Sequence, residues 1–413
     1  MERRFHGKRA RAASTATQAS AVESGAGGLM AITPRETKDA HKIPKPAAPE
    51  FENKQLTLFQ NFLCNTDAER DNLSNVIDLW DNVPRYSISR QAMNKTRING
   101  RFLEVHEAEF QYKGHTFVRR IAAARVQDLD GIDRDFYPSA TEELVEDALR
   151  KLAAEQWSGW FDKPKYTSGV VFTLYALRQE LKNRGHARSY QQIILALNIL
   201  SGSVITITPR DKDGDIKGIE RSNYLPHLAA VSQGKLREDP KAKWLVQFHP
   251  LVTISIDKVT YRQLNYDLMM SHSTQLARWL HKQLALKYTF ASLTERFEMR
   301  YTTIKRDSGL LEHYNRPRDA IDALTEAFTE LKVTEKKTRN VLFAFTRRDI
   351  TAKRGKLLDA IFTLTPSIDF IRDTKAGNKR IAAALASDNP MEKPVAIGRV
   401  SEAFAVAMGR GNR

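Results

Sequence analysis

The sequence predicts an α+β protein: two tandem winged-helix domains behind a disordered basic N-terminal arm. Three observations carry that expectation. The first 50 or so residues are rich in Ala, Ser, Gly and Pro. Their few bulky apolar groups (Phe5, Leu29, Met30, Ile32) cannot offset the entropy of ordering such a segment. An order of helix, short helix, longer helix and β-hairpin then runs through the chain twice, which is the order of a winged helix. Finally, 65 Lys and Arg stand against 49 Asp and Glu, so the 413-residue chain has a formal charge of +16 and a pI near 9.7. An excess of that size favours a polyanionic partner, nucleic acid before anionic membrane.

Composition and pattern divide the chain into an arm (1–53), a short peptide and linker (54–82), a first domain with leading strands (83–265), a second domain (266–348) and a basic, partly helical tail (349–413). Strands are expected at Tyr86–Ser89, Arg101–His106, Glu109–Tyr112 and Thr116–Arg119, with Gly100 and Lys113-Gly114 as turns. A helix from about Glu142 to Gln156 turns Leu144, Ala148, Leu149 and Leu152 inward, with Ser139 or Thr141 as N-cap. A second covers Thr173 to Arg184 with Leu174, Leu177 and Leu181 inward, and Gly185 closes it. The third starts at Ser189, buries Ile193, Ile194, Leu197 and Leu200, and stops at Gly202. A strand at Val204–Thr208 and the turn signal Asp211–Asp215 make the first wing, and Trp244–Phe248 and Val252–Ile256 read as further strands.

The same order recurs. Helices are expected over Ser273–Tyr288 (Leu276, Trp279, Leu280 and Leu284 inward), Ala291–Glu298, Thr302–Leu311 and Arg316–Leu331 (Ile321, Leu324, Phe328 and Leu331 inward). A basic turn with Lys336, Lys337 and Arg339 leads to the strand Val341–Phe345, closing a second wing, and a tail helix is expected at 377–387.

Several chemistries are excluded. No run of eighteen apolar residues exists, so no transmembrane helix is expected, and no apolar core follows the basic N-terminus as a secretory signal requires. Cys64 is the only cysteine, which rules out an internal disulfide or a thiolate zinc cluster. There is no P-loop, no His-Glu-x-x-His and no His-x-His pair. Asp128 to Asp135 and Asp211 to Asp215 fail as calcium loops, because Gly and the closing Glu are misplaced. The densest acidic group, Glu142, Glu143, Glu146 and Asp147, falls at the start of a helix, where the macrodipole favours negative charge. The chain therefore reads as cytoplasmic and non-enzymatic, with no cofactor and no metal.

A recognition helix reads base edges from its exposed N-terminal residues. Those are Arg188, Ser189, Gln191 and Gln192 in the first domain, and Asn315, Arg316 and Arg318 in the second; Ser189 and Asn315 also read as plain N-caps. Lys212, Lys217, Lys305, Arg306, Lys336, Lys337 and Arg339, with Arg347 and Arg348 beyond, read as phosphate contacts that set affinity and salt dependence.

One short segment points to a process. Gln55-Leu56-Thr57-Leu58-Phe59 offers an amide that donates and accepts, followed by large apolar groups suited to a preformed pocket. It resembles the peptide by which bacterial replication and repair proteins dock on the sliding clamp, with Gln55, Leu56, Leu58 and Phe59 as the contacts; the plain alternative is a half-buried strand. Together with the two winged helices, it makes the chain resemble bacterial plasmid replication initiators of the TrfA/RepA type over roughly residues 50 to 345. Thr57 stands where that family more usually has Ser or Asp. The resemblance implies binding of double-stranded origin repeats, opening of the origin with the host initiator, and recruitment of helicase and clamp. It implies a monomer–dimer equilibrium, the monomer on direct repeats and the dimer on inverted ones. A winged-helix transcriptional repressor, autoregulatory in such a family, is the alternative.

Overall fold

The computed structural model describes residues 72–387 except 155–157, 163, 211–214, 217, 232–238, 240, 333–338 and 354. The arm, the Gln55–Phe59 peptide and the end of the tail lie outside the described residues.

The first part opens with β1 (Leu73–Ile77), a 3-10 turn at Trp80–Asn82, and α1 (Arg90–Thr96), whose cap Ser89 accepts from the Ala92 amide. Tyr86–Ser89, expected as a strand, is the approach to that cap. β2 (His106–Tyr112) and β3 (His115–Ala122) form a hairpin about Lys113 (φ 48°) and Gly114 (φ 81°), a two-residue turn with both φ positive. The strand expected at Arg101 begins only at His106, because Asn99 and Gly100 turn the chain so that Ile98 and Phe102 bridge. β4 (Ala124–Gln127) and β5 (Asp133–Phe136) pair about the Asp128–Ile132 turn, where Arg134 binds Asp128 and Asp130.

α2 (Ala140–Ala154), β6 (Gly159–Asp162), β7 (Thr167–Thr173), α3 (Leu174–Asn183) and α4 (Tyr190–Gly202) follow, then β8 (Val204–Arg210), β9 (Glu220–Asn223), β10 (His227–Val231) and β11 (Lys243–Gln247). The expected inward residues of these helices are buried, Ile194 only half so, and each fully buried Leu or Ile contributes about 1.5–3 kcal/mol. α5 (Pro250–Asp257), β12 (Tyr261–Asn265) and α6 (Tyr266–Met270) complete this part, and β12 returns to pair with β1.

Two strand readings change here. Val252–Ile256 is not a strand but the body of α5: Pro250 starts the helix and His249 Nδ1 accepts from the Leu251 amide, so cap and burial override β-branched preference. The β8–β9 pair is not the first wing either. It joins β2 and β3 in a sheet of order β2-β3-β8-β9, whereas β10 and β11 return to β7, in the order β10-β11-β7-β6.

The second part holds α7 (Gln275–Lys287), β13 (Phe297–Arg300), α8 (Tyr301–Ser308), α9 (Pro317–Leu331), β14 (Leu342–Thr351), β15 (Leu357–Pro366) and α10 (Ile368–Ser387). Its sheet runs β13-β15-β14. The helix expected at Ala291–Glu298 is instead a loop and β13, since Phe297 to Arg300 pair with Leu364 to Ile361. The strand expected to end at Phe345 runs to Thr351 and turns back as β15. The boundary drawn at 348 thus cuts a strand, and the tail helix starts at Ile368.

Each part therefore contains helix, strand, helix, helix and hairpin, with the hairpin's second strand beside the strand that precedes the helix pair. Two apolar cores result. One gathers Trp80, Leu149, Leu177, Ile193 and Val246, and the other Leu280, Ile304, Ile321, Phe328 and Phe362.

Candidate nucleic-acid interface

In the second part, α8 ends on Gly309 at φ 65°, a left-handed cap that a side chain would strain. The chain then reaches α9 through exposed Asn315 and Arg316, with Arg316 at the N-cap and Pro317 in the first turn. Arg318 projects from that turn with its side chain 82% exposed, 4.0 Å from Asp322. Across from it stands the β14–β15 turn, held by the Ala352 amide donating to Lys356 O and the Gly355 amide to Ala352 O. Lys353 and Lys356 on this turn are exposed, and Arg354 lies outside the described residues.

Helix start and hairpin enclose an open cleft of about 570 Å³ whose lining includes Arg316, Arg318, Arg347 and Lys356 together with Asp322 and Asp349. Arg347 does not offer a free charge: Nη1 donates to Asp322 Oδ1 at 2.9 Å and Nε to Asp349 Oδ1 at 2.6 Å. The cation keeps its charge and ties the hairpin to α9. Arg348, one residue on, is exposed.

In the first part, the start of α4 is occupied by its own cap. Ser189 Oγ accepts from the Gln192 amide at 3.1 Å, and Gln192 Oε1 accepts from the Ser189 amide at 3.0 Å, a reciprocal capping box. Both residues read as base contacts thus have polar atoms bound locally. Arg188 donates to the Ala187 carbonyl, while its own carbonyl accepts from Arg178. Gln191 and Asn198 are exposed along the helix. Lys212 and Lys217 lie outside the described residues; the strands that flank them in sequence, β8 and β9, belong to the β2-β3-β8-β9 sheet, not to the one that holds β7. Beside that hairpin, Lys241 and Lys243 are exposed.

Three further residues read as phosphate contacts are engaged elsewhere. Lys305 faces Glu312 at 3.7 Å, and Arg306 Nε donates to Asp307, whose carboxylate also accepts from the Gln111 amide of β2. Arg339 is not at a wing tip. Its Nη2 lies 2.7 Å from Asp373 of α10, so it fastens that helix. Lys336 and Lys337 lie outside the described residues. Lys353 and Lys356 were missed, although Lys-Arg-Gly-Lys between Ile350-Thr351 and Leu357-Leu358 is a hairpin signal. No helix among the described residues is long and apolar enough to cross a membrane.

No protein-family model matches the chain, and no curated protein matches it. Solved structures do resemble it. Selenomethionine derivatives of domains 2 and 3 of RctB are 13% identical with a TM-score of 0.41, over 64% of this chain and 92% of that one. A second structure of RctB domains 2-3 is 12% identical with a TM-score of 0.39, over 66% and 95%. The Pi initiator protein in complex with iteron DNA is 13% identical with a TM-score of 0.31, over 73% and 99%.

Proposed function

We propose that the chain is a non-catalytic plasmid replication initiator whose two helix–strand–helix–helix–hairpin units are winged helices gripping repeated double-stranded DNA. One observation carries this reading: the exposed start of α9 and the basic β14–β15 turn face one cleft, with Arg316 and Arg318 on one wall and Lys356 on the other. A helix start that offers Arg to base edges beside a hairpin that offers Lys to phosphates is the division of labour sequence-specific binding requires. The formal charge of +16 supports a polyanionic partner. Gln55, Leu56, Leu58 and Phe59 would dock the sliding clamp, and host initiator and helicase would complete the assembly.

Selection of bound fragments from plasmid and random DNA libraries at about physiological salt tests this reading. Enrichment of directly repeated sites is expected. A single inverted repeat at a promoter would instead identify a repressor, and no enrichment would remove sequence-specific binding altogether.

A further inference from the structure

α7 has two buried faces. Leu276, Leu280 and Leu284 enter the core of their own unit, while Arg278, Lys282 and Gln283 are turned away from it and also shielded from water, with half-buried Gln275 beside them. Lys282 Nζ donates to Asp147 Oδ2 at 2.6 Å and to Glu143 Oε1 at 3.0 Å, both on α2 of the first unit. Gln275 Nε2 donates to Glu143 Oε2 at 2.8 Å and to the Tyr86 carbonyl at 3.0 Å, and Gln283 Nε2 to the Asp81 carbonyl at 3.0 Å.

Behind these contacts the first unit holds Asp81, Glu143, Glu146 and Asp147, all buried, and sets its own Arg85 and Arg150 among them. Arg85 reaches Asp81 at 2.7 Å and Glu146 at 2.5 Å, and Arg150 reaches Asp81 at 2.6 Å and Asp147 at 2.5 Å. The two cations that balance the remaining carboxylates come from α7: Lys282 by contact and Arg278 through space. Burial opposes ionisation of Asp81, yet Arg150, Arg85 and Lys282 outweigh it and hold its carboxyl well below the usual range. Apolar contact is non-directional and tolerates sliding, whereas a buried cation between two carboxylates has one satisfactory position.

Resting on the two-unit DNA reading above, we infer that Lys282 is a positioning residue that fixes how the two units sit and thereby sets the spacing of the two DNA half-sites the protein accepts. Neighbouring contacts agree with one arrangement. Gly309 lies so close to Ser87 of the first part that a Cβ there would stand 2.7 Å from the serine Cβ, and Asp307 accepts from Gln111.

The test compares paired half-sites whose spacer is changed by about half a helical turn of DNA, roughly 5 base pairs. The wild-type chain should lose about tenfold or more in affinity, the order of one mismatched base pair. Lys282→Met combined with Glu143→Gln and Asp147→Asn removes the bridge as a whole and leaves Arg278 on the His272 and Ser273 carbonyls. In that variant each half-site should bind as before while the spacer penalty falls to within about threefold. Lys282→Arg should keep the penalty. A full penalty in the triple variant, or none in the wild type, overturns the inference and leaves specific binding intact. Absence of any specific half-site would instead overturn the initiator reading. Spin labels at the exposed Asn198 and Glu326, with Cys64 replaced by Ser, need no cluster variant. One narrow distance is expected, and a broad distribution would overturn the fixed arrangement.

Discussion

Arg347 lies 2.9 Å from Asp322, so the first strand of the second hairpin is bound to the helix that leads with Arg316 and Arg318. Arg347→Ala should leave an unbalanced carboxylate facing the cleft and weaken binding to any sequence by about tenfold. Asp322→Ala should move nonspecific affinity the other way. Fluorescence anisotropy at one stated salt compares the two, and weakening in both would mean that the tie matters only for folding.

Arg318 is 82% exposed on the first turn of α9, and Arg316 precedes it at the cap; in the proposed function both face base edges. Replacing either with Ala should relax sequence preference at one position of the site, by about 1–3 kcal/mol. An equal loss on random DNA would make them phosphate contacts.

Lys353 and Lys356 crown the β14–β15 turn and are exposed. Changing both to Gln should lower the slope of log affinity against log salt by roughly 1.8, about 0.9 for each phosphate contact. Arg339→Ala should leave that slope unchanged and loosen α10 instead, because its guanidinium holds Asp373. Hydrogen exchange in α10 reads the second effect.

Acid should destabilise the fold in a window set by histidines. Burial, then Arg119, lowers His106 to about 4, and burial, then Arg85, holds His249 well below its ordinary 6.5. Below about 6.5 the unfolded chain takes up protons that the folded chain refuses, so stability falls as pH drops from there toward 4. The slope is up to ~1.4 kcal/mol per pH unit for each such group, and less for His106, which water partly screens. His249→Asn, which keeps a cap acceptor for Leu251, should flatten the profile between pH 4 and 6.5 in urea titrations. An unchanged profile would take the acid loss away from His249 and leave it to His106 and the carboxylates.

Leu58→Ala with Phe59→Ala should abolish binding to a purified sliding clamp and leave DNA affinity unchanged. Loss of DNA binding in that variant would make the segment a core strand.

Much of the fold was legible. Leu276, Leu280 and Leu284 repeat at helical spacing, Ser189 reads as an N-cap, and Gly202 marks a helix end, whereas the helix expected to reach Leu311 stops at Ser308 before Gly309. Less legible was which strands pair. β8 and β10 both follow α4, and only the match of β11 to β7, which sets Trp244 opposite Phe172, decides that the second hairpin returns to the helix pair. Val252–Ile256 misled for a related reason, since β-branched residues also fill a buried helix once Pro250 and His249 start it.

The sequence by itself determined the long amphipathic helices and the basic balance, because those rest on local periodicity, caps and composition. Tertiary structure alone decided what the polar residues do. Gln275, Arg278 and Lys282 sit at spacings that a solvated helix face would show, and Glu143 and Asp147 look like ordinary charges in the first turns of a helix. Nothing local distinguishes a charge facing water from one facing its counterion across a seam. Only the packing of α7 against α2 turned these side chains from surface into the joint between the two units.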